Sequence, residues 1–232
     1  MPLRRWFKSA NNAIEGILHA AKTQRHVRFH LYSASAVLIF SFILGVNREE
    51  FLLLSTVVVL VILAEMFNSA IELLVDLSSP QKSEKARIIK DIAAGAVLIT
   101  VMGAVLIGYI ILIPYIIKAL TGGIHIAKHS GGDAAIVSLV IVLILVVITK
   151  SHYGKGHPLR GGMPSGHAAL SFSIWVSATY ISENPMISIL TFIAAVMIAQ
   201  GRIAVKAHNA WEVILGALLG SLTTFILFSL FT

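Results

Sequence analysis

The sequence predicts an all-α, polytopic membrane protein with about seven transmembrane helices and an N-terminal amphipathic helix at the membrane surface. Hydrophobic residues make up 57% of the 232-residue chain and charged residues only 12%, whereas an average soluble domain is about 25% charged. The mean hydropathy is +0.87. These values leave too few polar side chains to cover a soluble fold. They exclude a soluble enzyme and a disordered protein, and the lack of cysteine excludes a disulfide scaffold.

Seven apolar runs supply the predicted membrane spans. A helix needs about 20 residues to cross the hydrocarbon layer. Several runs are shorter, so their helices are expected to extend into the flanking polar residues. The runs cover residues 31–46, 51–75, 92–120, 134–149, 168–181, 186–200 and 213–231. Seven spans leave roughly 90 residues for everything else, so catalytic groups are expected at helix ends and in short loops.

Residues 9–30 predict a helix that lies on the membrane surface. Its apolar side chains recur at helical spacing, at Ala13, Ile14, Ile17, Leu18 and Ala21, and basic residues surround them, at Lys8, Lys22, Arg25 and Arg28. An apolar stripe beside a basic face is typical of interfacial helices.

The distribution of basic residues predicts the orientation. With a cytoplasmic N-terminus, the inside segments are residues 1–30, 76–91, 150–167 and 201–212. They hold 15 of the 18 Lys and Arg residues, and the outside holds only Arg48, Lys118 and Lys128. This bias is the positive-inside pattern. Because it also accounts for the net charge of +7, no nucleic acid partner is expected.

A glycine-rich segment predicts the domain boundary. Residues 121–133 read TGGIHIAKHSGGD, a composition typical of a linker. The expected domains are therefore a three-span domain at 1–120 and a four-span domain at 134–232.

The second apolar run carries polar residues at membrane depth. Glu65, Asn68, Glu72 and Asp76 follow one another at intervals of three or four residues, which places them on one face of a helix. Carboxylates on one face repel each other unless a cation lies among them, and hard oxygen ligands favour Mg²⁺. The loop that follows is basic, which suits the phosphates of a nucleoside triphosphate. The pattern therefore predicts a site for Mg²⁺ and a nucleotide.

Two other interpretations fit these carboxylates. In the first, the carboxylates pair with basic groups of neighbouring helices. In the second, they form a proton relay in a transporter. Four polar groups on one face, followed by a basic loop, favour the metal and nucleotide site.

Residues 65–76 (EMFNSAIELLVD) and 86–97 (ARIIKDIAAGAV) resemble the signature of bacterial-type diacylglycerol and undecaprenol kinases. The resemblance implies a homotrimer in the bacterial inner membrane that uses ATP and Mg²⁺ to phosphorylate a lipid alcohol. It implies that Glu65 is the general base and that Glu72 holds Mg²⁺. The other implied ATP- or lipid-binding residues are Arg5, Lys8, Asn68, Asp76, Lys90 and Asp91.

Residues 24–30 (QRHVRFH) resemble the Gram-positive undecaprenol kinase pattern Glu-Arg-Asn-x-Arg-x-His but differ at its first position. The family normally has a second metal-binding glutamate there, and this chain has Gln24. An amide oxygen still coordinates Mg²⁺ but contributes no charge, so metal binding is expected to be weaker.

Two loops near the C-terminus predict a second site. Residues 164–166 (Pro-Ser-Gly) open a helix, whose free N–H groups hold anions. His208 and Glu212 are one helical turn apart, so the carboxylate orients the imidazole. His208 is then the expected nucleophile, and His167 the general acid. The cations that converge on this membrane face include Lys150, Lys155, Arg160 and Arg202.

Each part of this second pattern has a simpler interpretation. Pro-Ser-Gly-His at 164–167 is also an ordinary helix start. His208 and Glu212 would form a surface pair, or a zinc site together with His167. The two loops in combination favour phosphate chemistry.

The C-terminal half resembles the type 2 phosphatidic acid phosphatases, whose pattern is Lys-x6-Arg-Pro, Pro-Ser-Gly-His and Ser-Arg-x5-His-x3-Asp. The second motif matches fully at 164–167, and the third has Gly201 for Ser and Glu212 for Asp. The first motif is degraded, because His157 stands where arginine is expected. The resemblance implies a phosphohistidine at His208, proton donation by His167 and no metal. The implied phosphate-binding residues are Lys150, Lys155, Arg160, Ser165, Gly166 and Arg202.

The sequence therefore predicts a bifunctional enzyme of membrane lipid phosphate metabolism. A lipid alcohol kinase is fused to a phosphatase for a lipid phosphate or pyrophosphate, and both sites face the cytoplasm. Two alternatives stay open. In the first, one half is catalytically inactive and acts as a scaffold, and Gln24 points to the kinase half. In the second, the whole chain is a non-enzymatic lipid transporter. The phosphatase half also lacks two of its family's usual six spans, whose place kinase helices are expected to fill.

Overall fold

The computed structural model describes residues 2–79, 83–122, 128–153 and 162–232. Regular structure in these ranges is helical, with no strand, which confirms the predicted all-α fold. The helices are α1 (Pro2–Thr23), α2 (Arg25–Leu44), α3 (Arg48–Ser78), α4 (Glu84–Gly122), α5 (Gly131–Tyr153), α6 (Gly166–Ser182), α7 (Pro185–Ala204) and α8 (Ala210–Phe231).

Six of these helices, α2 to α5 with α7 and α8, are long and apolar enough to cross a membrane. Helix α6 has 17 residues, so the predicted count of seven spans is not confirmed by length and composition. All seven apolar runs fall on α2–α8, and the helices extend into polar flanks as expected. Asn47 begins α3 by accepting a 2.9 Å hydrogen bond from the Glu50 amide, a typical N-cap.

The N-terminal boundaries differ from the prediction. The surface helix was expected to end near residue 30, but α1 ends at Thr23 and α2 begins at Arg25. Between them Gln24 has extended backbone angles (φ −101°, ψ 117°) and its side chain forms no capping hydrogen bond. At its other end, α2 stops two residues before the predicted limit, because Gly45 has left-handed angles (φ 68°) that glycine adopts without strain.

The helices form two compact units. The first unit is Thr23–Ala127, which contains α2, α3 and α4, and the second unit combines Met1–Lys22 with Lys128–Thr232. The second unit therefore contains α1 together with α5–α8. The division into domains at 1–120 and 134–232 stays a prediction, and residues 123–127 of the predicted linker lie outside the described residues.

Helices α6 and α8 make the most extensive contact in the second unit. Two glycines of α8, Gly216 and Gly220, allow this contact, because a Cβ at either position would overlap backbone oxygens of α6 and its N-cap, those of Ala169 and Ser165. The small-xxx-small spacing is a common device for close helix packing in membranes. It holds the start of α6 against the start of α8.

We expect Gly220→Ala to destabilise the second unit, because its methyl group would overlap the Ala169 carbonyl. Overpacking of this kind costs about 1–3 kcal/mol. The measurement is thermal unfolding of the purified protein in detergent. Gly201→Ala is the matched control in the same unit, since nothing lies within 4 Å of a Cβ there. Equal midpoints for the two variants would contradict the packing argument.

Helices α2, α3 and α4 of the first unit line an apolar cavity of about 310 Å³ that is partly open. Its lining includes Val57 and Val61 of α3, Gly108 of α4, and His30 and Ser33 of α2. Val61 is followed one helical turn later by Glu65, so the cavity and the acidic residues occupy the same face of α3.

Candidate active sites

A buried histidine–carboxylate pair lies in the second unit, where α7 ends and α8 begins. Nδ1 of His208 is 2.8 Å from Oε2 of Glu212, and both residues are buried. An ionised carboxylate only accepts hydrogen bonds, so Nδ1 carries the proton and donates it. The lone pair of the imidazole is thereby left on Nε2, the nitrogen that can attack an electrophile.

Backbone groups hold Glu212 in place. Oε2 accepts from the Asn209 amide at 3.2 Å, and Oε1 accepts from the Gly162 amide at 3.0 Å. The Asn209 side chain in turn accepts from the Glu212 amide at 2.8 Å, which completes a capping box at the start of α8. A carboxylate in the first turn of a helix is also stabilised by the helix dipole.

The Pro-Ser-Gly-His segment is joined to the same helix. The Ser165 amide donates to the Glu212 carbonyl at 2.8 Å, and Ser165 is the N-cap of α6. His167, in the first turn of α6, is exposed. The structure therefore brings the second and third motifs of the predicted site together.

Two buried polar atoms of this site have no hydrogen-bond partner among the residues that the structure describes. They are Oγ of Ser165 and Nε of Arg202. Buried donors without partners are costly, and an anion that accepts from both would relieve that cost. Lys150 is also buried, at 8% exposure, at the end of α5. These groups suit the oxygens of a phosphate.

Burial lowers the pKa of His208 below its ordinary value, and the positive charges of Lys150 and Arg202 act in the same direction. The hydrogen bond to Glu212 opposes this shift. A lowered pKa keeps the imidazole neutral in mildly acidic solution, which is the state a nucleophilic histidine needs.

The rest of the predicted phosphate site is described only in part. Lys155, Arg160 and the degraded first motif at His157 lie outside the described residues. The zinc alternative is not supported, because no group of three His, Cys, Asp or Glu side chains in the described ranges is placed to hold a metal ion.

The first unit contains the predicted acidic face of α3. Glu65 and Asn68 are buried, at 4% and 8% exposure, and Glu72 is half-buried. The Asn68 amide donates to Oε1 of Glu72 at 3.1 Å, while Oδ1 of Asn68 is buried and has no partner in the described ranges. Helical spacing thus places these oxygens on one buried face, as the sequence predicts.

The more exposed residues of this group form ion pairs. Nζ of Lys90 is 2.6 Å from Oδ1 of Asp76, so these two predicted nucleotide-binding residues are neighbours across α3 and α4. Asp91 lies 2.8 Å from Nη1 of Arg87, and Arg87 also contacts Glu84. These exposed pairs contribute little to stability.

The oxygen ligands of α3 fit Mg²⁺. This ion is usually bound by one or two carboxylates together with waters and substrate phosphates, and Glu72 with the unpartnered Oδ1 of Asn68 offers such a set. Gln24 begins α2 half-buried in the same unit. Arg5 is exposed on α1 in the second unit, and the side chain of Lys8 lies outside the described structure.

Each half of the chain matches the model of a known protein family or superfamily. The family model of prokaryotic diacylglycerol kinases matches residues 11–112. The undecaprenol kinase of Bacillus subtilis is 36% identical over 112 residues, which are 48% of this chain and 91% of that protein. The chain belongs to the prokaryotic diacylglycerol kinase family. Residues 23–127 are called the kinase unit below.

A second relative is matched over a smaller part of its length. The diacylglycerol kinase of Synechocystis is 37% identical over 100 residues, which are 43% of this chain but only 57% of that protein. No solved structure matches the chain significantly.

The C-terminal half matches the PAP2 superfamily at residues 144–232. These matches confirm the predicted resemblances, because the kinase family matches the N-terminal half and the PAP2 superfamily matches the C-terminal half. Together with the apolar helices, they support an integral membrane protein of lipid phosphate metabolism. The second unit is called the phosphatase unit below.

Sequence reasoning missed several residues that build the phosphatase site. Asn209, three residues before Glu212, had the capping-box spacing, and Gly216 with Gly220 had the small-xxx-small spacing. The Gly162 amide had no comparable signal, because it reaches Glu212 across 50 residues of chain.

Proposed function

We propose that the phosphatase unit hydrolyses a lipid phosphate or pyrophosphate through a phosphohistidine at His208. The 2.8 Å hydrogen bond between Nδ1 of His208 and Glu212 carries this proposal, because it fixes the tautomer whose Nε2 is free to attack phosphorus. Oγ of Ser165 and Nε of Arg202, both buried without a partner in the described part of the chain, support binding of the phosphate oxygens by these two residues.

The reaction has two steps. In the first, Nε2 of His208 bonds to phosphorus while the bond to the leaving oxygen breaks, and His167 gives that oxygen its proton. In the second, water loses a proton to His167 and attacks the phosphohistidine, which releases phosphate and restores His208. Glu212 stabilises the positive charge on the imidazole in both steps.

The lowered pKa of His208 predicts the pH dependence of hydrolysis. Protonation of Nε2 removes the nucleophile, so activity falls as the pH drops through the pKa of His208. Because that pKa lies below the ordinary value of about 6.5, we expect the acidic limb of kcat/KM below pH 6.5. The measurement is a pH profile with unfolding monitored at each pH. An acidic limb above pH 7 would contradict the assignment.

We propose that the kinase unit transfers phosphate from ATP to a lipid alcohol, either undecaprenol or diacylglycerol. Glu65 takes the proton of the acceptor hydroxyl. The apolar cavity that ends at Val61, one turn from Glu65, supports an acceptor whose hydrocarbon chain lies inside the bundle and whose hydroxyl reaches the carboxylate. Glu72, with Asn68 and Gln24, would hold Mg²⁺. When bound, this ion would neutralise charge on the ATP phosphates.

We expect Gln24→Glu to increase the affinity of the kinase for Mg²⁺. A carboxylate adds a charge at a position where the family normally has one, so less Mg²⁺ should be needed for half-maximal activity. The assay is ATP-dependent lipid phosphorylation across a range of Mg²⁺ concentrations. Gln200→Glu, at an exposed position on α7 of the second unit, is a control for the added charge. Identical Mg²⁺ curves for Gln24→Glu and the wild type would remove Gln24 from the metal site.

The basic residues support a cytoplasmic orientation of both active sites, in the inner membrane of a bacterial cell. A single cysteine at exposed Lys206, beside His208, would report the side by its reaction with an impermeant maleimide. Labelling only from outside would refute the orientation. Opposing activities on one face would form a futile cycle if both used the same lipid, so either the lipid substrates differ or one half is inactive. By family resemblance, we propose that the kinase is a homotrimer.

The second candidate function is a kinase unit that has lost catalysis and acts as a scaffold for the phosphatase. The absence of a carboxylate at Gln24 favours it. A wild-type protein that phosphorylates neither undecaprenol nor diacylglycerol, while it hydrolyses lipid phosphates, would decide for this candidate.

A further inference from the structure

Helix α4 of the kinase unit contains a pair of small residues, Ala104 and Gly108, with the same spacing as Gly216 and Gly220 of α8. In α8 the backbone of α6 and its N-cap fills the space beside the two glycines. In α4 the space stays open, because a Cβ at Gly108 would meet nothing within 4 Å. Ala104 and Gly108 both line the apolar cavity of this unit. The small residues of α4 therefore leave room between the helices instead of bringing them together.

Two side-chain contacts fix how α3 and α4 face each other. Nζ of Lys90 is 2.6 Å from Oδ1 of Asp76, near the end of α3 and the start of α4. The Tyr115 hydroxyl donates a 2.7 Å hydrogen bond to Oε2 of Glu50, near the start of α3 and the end of α4. The two helices are therefore antiparallel. Because each advances by about 1.5 Å per residue, facing positions can be counted from either contact.

This count places Gly108 level with Val57, and Val101 level with Glu65. Val57, Val101 and Gly108 line the cavity, and Glu65 lies one turn beyond Val61 on the same face of α3. The Glu65 side chain is 4% exposed and makes no hydrogen bond or ion pair with other residues in the described ranges. Gly108 lies two helical turns from the level of Glu65, which is about 10 Å along the cavity.

An apolar space that ends beside a buried carboxylate suits a hydrocarbon chain with a hydroxyl group. Apart from His30 and Ser33, the side chains that line the cavity are apolar, and apolar cavities do not hold ordered water. The hydrocarbon chain would fill the space, and its hydroxyl group would donate a hydrogen bond to the Glu65 carboxylate. The methyl end of an ordinary bilayer acyl chain carries no such donor.

We propose that Gly108 determines how long a hydrocarbon chain the cavity accepts. A chain of roughly eight carbons extends from the level of Glu65 to Gly108, at C–C bonds of about 1.5 Å. A longer chain must pass Gly108, and it can do so because this position has no side chain. The inference rests on the proposed kinase function and adds a specificity-determining residue to it.

The test compares full-length Gly108→Leu with the wild type on two pairs of acceptors that differ in chain length. One pair is dibutyrylglycerol and dioleoylglycerol, and the other is dimethylallyl alcohol and undecaprenol. Leucine would block the cavity at position 108. In each pair that the wild type phosphorylates, kcat/KM for the long acceptor should therefore fall roughly tenfold or more, while the short acceptor keeps its wild-type value. Gly108→Ala adds one methyl group and should have a smaller effect.

Gly103→Leu is the matched control. Gly103 is also a half-buried glycine of α4 with nothing within 4 Å of a Cβ, and it is not among the residues that line the cavity. This variant should keep the wild-type preference between long and short acceptors. An unchanged preference in Gly108→Leu would overturn the inference. A changed oligomeric state of Gly108→Leu with an unchanged preference would also overturn it, and would assign the space to a second copy of the chain.

A binding measurement separates this inference from the proposed kinase function. A long acceptor that occupies the cavity should raise the unfolding midpoint of the wild type and of Gly103→Leu, but not that of Gly108→Leu. If the wild type phosphorylates no alcohol but shows this pattern, the kinase function fails and the role of Gly108 in chain binding stands. If the kinase is active and the long acceptor stabilises Gly108→Leu as much as the wild type, only the inference about Gly108 fails.

Discussion

His208→Ala is expected to abolish hydrolysis of lipid phosphates, with a loss of at least about 10³-fold in kcat. The substitution removes Nε2, the atom that forms the phosphohistidine in the proposed mechanism. It also leaves Glu212 without its 2.8 Å partner. The measurement is phosphate release from phosphatidic acid and undecaprenyl pyrophosphate by purified protein in detergent.

His26→Ala is the matched control for this experiment, because His26 is an exposed histidine of α2. The fold of the His208 variant is checked by its kinase activity, which should be unchanged. Wild-type rates of phosphate release from the His208 variant would refute the nucleophile, whereas a wild-type protein inactive on every lipid phosphate would favour a non-catalytic phosphatase unit.

Glu65→Gln is expected to lower ATP-dependent lipid phosphorylation by about 10²–10⁴-fold, the usual contribution of a general base. Glutamine keeps the size and hydrogen-bonding capacity of the buried side chain but cannot accept the proton of the acceptor hydroxyl. The measurement is transfer of labelled phosphate from ATP to undecaprenol and to diacylglycerol.

Glu49→Gln provides the comparison, since Glu49 is an exposed glutamate in the first turn of the same helix. The Glu65 variant should keep its phosphatase activity, just as the His208 variant should keep its kinase activity. A Glu65→Gln protein that phosphorylates lipid at the wild-type rate would remove Glu65 from the chemistry and favour a structural role for the α3 carboxylates.

Local spacing made much of both candidate sites predictable. Glu65, Asn68 and Glu72 share a face of α3 because a helix repeats every 3.6 residues, and the 3.1 Å contact of Asn68 with Glu72 follows from their separation by four. The same holds for His208 and Glu212 at the start of α8. These contacts lie within one turn, so the sequence is enough to place them.

Contacts between distant segments were not predictable in this way. The Gly162 amide that holds Glu212, and the Ser165 amide that donates to the Glu212 carbonyl, depend on how α6 meets α8. The break at Gln24 was also missed, because apolar and basic residues continue through it without a glycine or proline. The break is defined by the extended backbone angles of Gln24, which the spacing of apolar residues does not predict.

The sequence by itself determined that the chain is helical and membrane-embedded, and that it carries lipid kinase and phosphatase motifs. Hydrophobicity, helical period and motif spacing are local properties, so they are readable without a fold. Only the tertiary structure decided that Gly216 and Gly220 bring α8 onto α6, and that α1 groups with the phosphatase unit. It also decided that Arg202 and Ser165 have buried atoms with no partner in the part of the chain that the structure describes. Those features arise from packing between residues far apart in the chain, where burial and close approach depend on every helix at once.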